Sequence, residues 1–150
     1  MLTRTQCAAL LLAAVIAAPS AFAGPYGDDM AKCLVTSTTS DDKAALVQWM
    51  FAAASLHPAV KKMTTVTDAQ RTALNKRFAD LAQTLLTKSC VVQTKAAIKN
   101  EGMGTIETSF QVLGSVAGRE LFADPAVAAN MNELGKYFDD AALRKALDIK

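Results

Sequence analysis

Apolar side chains recur along this chain at spacings of three and four. Leu74, Phe78, Leu81 and Leu85 form one such series; Ile106, Phe110, Leu113, Ala117 and Leu121 form another; Val127, Met131, Leu134 and Phe138 form a third. That period belongs to one face of an α-helix, whereas a half-buried strand would alternate every second residue. Strand signals are nearly missing: there is one Trp, there are two Tyr, and no Asn-Gly or Asp-Gly pair marks a hairpin. The pattern predicts an all-α fold, a small bundle of six or seven helices in a single domain.

Capping residues and prolines set the expected boundaries. Asp28 and Asp29 suit the start of a short helix reaching Val35, and the polar run from Thr36 to Ser40 reads as a loop. Ser40, Asp41 and Asp42 then open a second helix to Leu56, which His57-Pro58 stops or kinks. Between Ala44 and Leu56 only Gln48 and Ser55 are polar, so this helix is expected at the centre, with Leu46, Trp49, Met50 and Phe51 as its bulk. Thr67-Asp68-Ala69-Gln70 has the form of a capping box. Its helix is expected to continue, or to restart after a bend, through Cys90 to Ile98, and Gly102-Met103-Gly104 ends it. Asp124-Pro125 begins a further helix, and Asp139-Asp140 a last short one. The segment Leu56–Met63 echoes Ala123–Met131, which suggests the same helix–Pro–helix corner twice, with Pro58 as a first helical residue.

The amino-terminal residues read as a secretory leader. Arg4 is a lone positive charge, residues 8–18 are all apolar, and Ala21-Phe22-Ala23 supplies the small-x-small cleavage site. The apolar run is shorter than the roughly 20 residues that span a bilayer. Residues 1–23 are therefore expected to be a cleaved signal peptide, and residues 24–150 the mature helical domain. Its Ala-rich core is of bacterial type, so the expected location is the periplasm or the medium beyond it. Cys7 precedes the apolar run, where a lipoprotein's cysteine would follow it. Cys33 and Cys90 remain after cleavage. An even count in an exported chain favours a disulfide between them, clamping the first helix to the long middle one.

No later apolar stretch suits a membrane span. The formal charge of +2 falls to +1 once Arg4 is removed, no footing for nucleic acid as the main partner. Charge is nevertheless uneven. Residues 61–99 hold Lys61, Lys62, Arg71, Lys76, Arg77, Lys88, Lys95 and Lys99 against only Asp68 and Asp80. Residues 101–148 hold eight acids against Arg119, Lys136, Arg144 and Lys145. Either two halves of a bundle attract each other, or Lys61, Lys62, Arg71, Lys76, Arg77 and Lys88 offer a docking face to an acidic partner.

The constellations that suggest chemistry have simpler readings. Asp28-Asp29, Asp41-Asp42 and Asp139-Asp140 each fall at an expected helix start, where carboxylates accept free amides; none has the alternating oxygens of a calcium loop. Ser40-Asp41-Asp42-Lys43 fits the S-x-x-K spacing of penicillin-recognising enzymes, yet no Lys-Thr-Gly follows and the chain is small for that fold. His57 is the only histidine, too few for a zinc site once the cysteines are paired, and is expected to meet the last carbonyls of its own helix. Gly114 and Gly118 leave a bare strip on an apolar helix, suited to close approach by another helix or to a ligand. No CxxCH haem motif, P-loop, GxSxG or GxGxxG occurs, so no cofactor and no metal are expected. Three functions follow, in order: a non-enzymatic envelope protein that binds another protein, such as an inhibitor or immunity-type factor; a periplasmic binder of a small apolar ligand between helices; and a small hydrolase. The oligomeric state stays open.

Overall fold

The computed structural model describes residues 24–149; the expected leader lies outside the described residues. Among the described residues eight α-helices follow one another: α1 (Pro25–Thr36), α2 (Ser40–Ala54), α3 (Pro58–Lys61), α4 (Asp68–Thr84), α5 (Val91–Glu101), α6 (Gly104–Ala123), α7 (Pro125–Glu133) and α8 (Asp140–Leu147). A π turn, Leu85–Ser89, joins α4 to α5, and a 3₁₀ turn, Leu134–Tyr137, follows α7. Among the described residues there is no strand. The all-α bundle is as the apolar spacing predicts. Of the two expected courses after Thr67, the helix takes the second: it ends as α4 and restarts as α5 beyond the π turn, which raises the count among the described residues.

That division places the disulfide. Cys90 donates its amide to the Leu85 carbonyl at 2.8 Å, the five-residue spacing of a π turn, and its own backbone leaves the helical region. The chain therefore changes direction at Cys90, which reaches Cys33 on α1 with 5.8 Å between Cα atoms. The expected bridge is present and clamps α1 to the α4–α5 junction.

Helices α1 and α6 form the centre. Met30 and Leu34 of α1 are fully buried against Leu113 and Ala117 of α6, and Leu46, Leu85, Cys90 and Ala97 complete the core. Helix α6 packs on α1, α2 and α5, while α4 packs on α2. Ser109, also fully buried, donates its hydroxyl to the Gly27 carbonyl at 3.2 Å and so ties α6 to α1. The expectation that α2 lies at the centre is corrected. Only Ala45, Leu46 and Ala52 of that helix are buried, and Phe51 and Leu56 are more than half exposed. An apolar helix need not be surrounded; α2 turns one face to the core and lends the others to surface hollows.

Several helix starts differ from expectation by a residue or by a whole mechanism. Helix α1 begins at Pro25, ahead of Asp28 and Asp29, and no side chain of its own caps it. Glu101, at the end of α5, does so instead: its two carboxylate oxygens accept the amides of Tyr26 and Gly27, each at 2.9 Å. For α2 the cap is Thr39 rather than Ser40, and Asp42 closes the capping box. Thr67 with Gln70, Asp124 and Asp139 cap α4, α7 and α8 as expected. His57 is corrected: its Nδ1 accepts the Ala59 amide at 3.2 Å, so it caps the helix that follows it rather than the one before. Pro58 and Pro125 are both first helical residues behind a capping side chain, which makes the two corners alike.

The chain beyond Ala123 stands apart. Helix α7 packs on α6, but α8 packs on no other helix to any extent. Every residue from 129 to 149 is exposed, Leu134, Tyr137, Phe138, Leu143 and Leu147 among them.

Candidate apolar trough

Three helices leave an apolar trough between them. Helix α2 contributes Leu46, Trp49 and Met50; α4 and the π turn contribute Phe78, Ala82 and Leu86; α6 contributes Ile106, Phe110 and Gly114. Glu107 and Gln111 are its polar lining, and the trough encloses about 570 Å³. The helical stripe accounts for this composition. Phe78, Ala82 and Leu86 follow one another at spacings of four, as do Ile106, Phe110 and Gly114, so each run lies on one side of its helix.

The aromatic rings fix the floor. Trp49 stacks on Phe78 with centroids 4.2 Å apart and planes 18° off parallel. Phe110 meets Phe78 edge-on at 6.2 Å. Both are favoured arrangements for π systems. Trp49 donates its indole N–H to the Asn75 side-chain oxygen at 3.0 Å, so its one polar group is satisfied inside the fold. What the ring offers to a visitor is apolar surface.

Gly114 and Gly118 are not sites of close helix packing. A Cβ added at either would meet no neighbouring atom within 4 Å. Gly114 instead widens the trough, where a larger side chain would stand in the open volume. A second, smaller hollow of about 350 Å³ lies between Phe51, Val66, Gln70 and Leu74, on the side of α2 turned away from the trough.

The basic residues do not converge on one point. Lys61 and Lys62 end the short α3. Arg71 donates to the Val66 carbonyl at 2.7 Å and pairs with Asp68. Hydrogen bonding from the Arg71 guanidinium and its charge hold the Asp68 carboxyl below the usual carboxylate range. Arg77 donates to the Asp41 carbonyl at 3.3 Å, tying α4 to the start of α2. Lys76 and Lys88 are exposed. Among the described residues no ion pair joins the basic stretch to the acidic one; the bridges are Lys43–Glu120, Arg71–Asp68 and Lys136–Glu133.

The remaining candidates have structural work. Lys43 pairs with Glu120 at 2.6 Å, which engages the lysine of the S-x-x-K spacing. No group of three or more His, Cys, Asp or Glu suited to a metal occurs among the described residues. No helix there is long and apolar enough to cross a membrane. Sequence reasoning marked Gly114 as a candidate ligand-facing position but missed the other residues of the trough. Each of its walls was legible as a stripe, but three stripes meeting with a gap between them left no local signal.

These features define a disulfide-clamped, all-α domain with an open apolar trough. Comparison with protein-family models, with curated proteins and with solved structures finds no match.

Proposed function

We propose that this chain is an exported, non-enzymatic binding protein of the bacterial envelope, and that its trough receives an amphipathic helix of a protein partner. The observation that carries this is the trough itself: packed aromatic rings, apolar side chains from three helices, and only Glu107 and Gln111 as polar lining. Such a groove suits an amphipathic helix laid along it with anchors three or four residues apart. Openness favours a helix over a small apolar molecule, since small-ligand sites enclose most of their ligand's surface. Lys61, Lys62, Lys76 and Lys88 add positive potential that favours encounter with an acidic partner.

Export is checked by sequencing the protein recovered from periplasm, with Gly24 expected as the first residue. Binding is tested by placing a photo-crosslinking residue at Glu107, on the edge of the trough. The expected adduct is a peptide with apolar residues at helical spacing, and it disappears when Gly114→Leu fills the trough. Adducts with lipid or small molecules alone, or adducts unchanged by Gly114→Leu, overturn the reading.

A further inference from the structure

We propose that removal of the leader completes a latch, in which the α-ammonium released at Gly24 pairs with the Glu101 carboxylate and fastens α1 to the end of α5. The inference rests on cleavage after Ala23 and adds what that cleavage does to the fold. Gly24 is the N-cap of α1, and its carbonyl accepts the Asp28 amide at 2.9 Å. No side chain of α1 caps that end. Glu101 does so from α5, accepting the amides of Tyr26 and Gly27 at 2.9 Å each. Gly24 and Glu101 are both half-buried. A Cβ built at Gly24 would lie 3.2 Å from Oε2 of Glu101 and closer still to Oε1, and the three atoms nearest to it all belong to that carboxylate. The Gly24 nitrogen is bonded to the same Cα, so it lies within about 5 Å of the carboxylate. At a chain end, rotation about the Cα–C bond brings it to hydrogen-bonding distance.

Cleavage changes the charge at this point. In the precursor the Gly24 nitrogen belongs to a neutral peptide bond. Water adds across that bond, the Ala23 carboxylate departs with the leader, and the new amine is protonated at neutral pH. On α1 alone an ammonium would be unfavourable, because it stands at the positive end of the helix dipole. The Glu101 carboxylate reverses the sign, since an opposite charge within about 4–6 Å favours the charged form. The other charged or titratable groups around this end are Tyr26, Asp28 and Asp29 of α1, Lys99 of α5, and Glu107 of α6, which lines the trough. Cys33 of α1 and Cys90, at the start of α5, join the opposite ends of the same two helices. Disulfide formation and leader removal, the two covalent changes expected on export, thus fasten one helix pair at both ends. The precursor lacks both, and so closes this pair less firmly before it crosses the membrane.

The test compares protein processed in the periplasm with the same protein acetylated selectively at its α-amine. NMR titration is expected to place the amine of the processed protein above its ordinary range near 8. At neutral pH, acetylation is expected to lower the melting temperature by about 2–5 °C. Folding raises the pKa of the amine, so its contribution is full below about pH 8 and is lost as pH rises through the raised value. The gap between the two proteins should therefore close in alkali. In Glu101→Gln the ammonium meets the helix dipole without a carboxylate, so acetylation there is expected to leave the melting temperature unchanged or to raise it. An amine with an ordinary pKa, or acetylation with the same effect in both backgrounds, overturns the latch. A periplasmic protein that begins elsewhere than at Gly24 overturns the processing step instead. Titration of a chain trimmed to Gly24 then reports separately on the ion pair.

Discussion

The carboxylate of Glu101 accepts the backbone amides of Tyr26 and Gly27, so the last residue of α5 caps the first turn of α1 across 75 positions of sequence. The first amides of a helix have no partner within it, and an acidic acceptor there also meets the positive end of the helix dipole. This cap joins two elements that the disulfide already joins at their other ends. Gly24 sits against it, and a Cβ at that position would collide with the Glu101 carboxylate.

Glu101→Ala should therefore cost about 1–2 kcal/mol, at the upper part of the range for lost caps. Glu101→Gln keeps one acceptor and should cost less. Gly24→Ala displaces the carboxylate and should fall between wild type and Glu101→Ala. Thermal unfolding of the mature chain orders the four proteins, and equal melting temperatures would show that the cap contributes nothing.

The Cys33–Cys90 bridge closes a separation of 57 residues. On the chain-entropy model this stabilises the fold by about 4 kcal/mol. Reduction should lower the melting temperature by roughly 10–15 °C in a domain of this size. Titration of the unreduced, denatured protein should find no thiol; two reactive thiols would refute the bridge.

Thr94 is buried on α5, and its hydroxyl has no hydrogen-bond partner. An unsatisfied buried group costs about 1–3 kcal/mol, while Val has nearly the same shape without that demand. Thr94→Val should raise stability by about 1 kcal/mol, measured by chemical denaturation. A loss of stability would mean that the hydroxyl is satisfied in solution.

Asp68 and Arg71 supply a pH-dependent term. Because the folded carboxyl is held below its ordinary value, the pair favours the fold above about pH 4 and loses that contribution as acid protonates Asp68. NMR titration should place Asp68 below ordinary aspartates in wild type and return it to the ordinary range in Arg71→Gln. Full solvent exposure of Asp68 keeps the effect on melting small.

How much of this was legible depends on the range of the interaction. Thr67 with Gln70, Asp124 before Pro125, and Asp139 each act within three residues, so their roles show in the sequence. Glu101 acts across 75 positions, and nothing beside it marks the amides it will meet. Likewise, Phe78 and Phe110 are visible as members of stripes. Only the tertiary arrangement leaves them partly open and stacks Trp49 on Phe78. Phe51 shows the opposite error: apolar neighbours suggested burial, but that face of α2 opens on the hollow lined by Val66, Gln70 and Leu74, and Phe51 stays more than half exposed.

The glycines of α6 separate two accounts of the same strip. Had Gly114 and Gly118 been selected for close helix packing, an added methyl would collide with a neighbour and destabilise the bundle. Nothing lies within 4 Å of a Cβ built at either position. The remaining effect is then helix propensity, where Gly is about 1 kcal/mol less favourable than Ala in a helix interior. Gly118→Ala should stabilise by close to that amount, and Gly114→Ala by a similar amount, since its methyl faces the open trough. The double variant should be nearly additive, because each methyl points into unoccupied space with no shared contact. A melting temperature that falls in either single variant would show another helix pressed against the strip in solution, and would remove Gly114 from the wall of the trough.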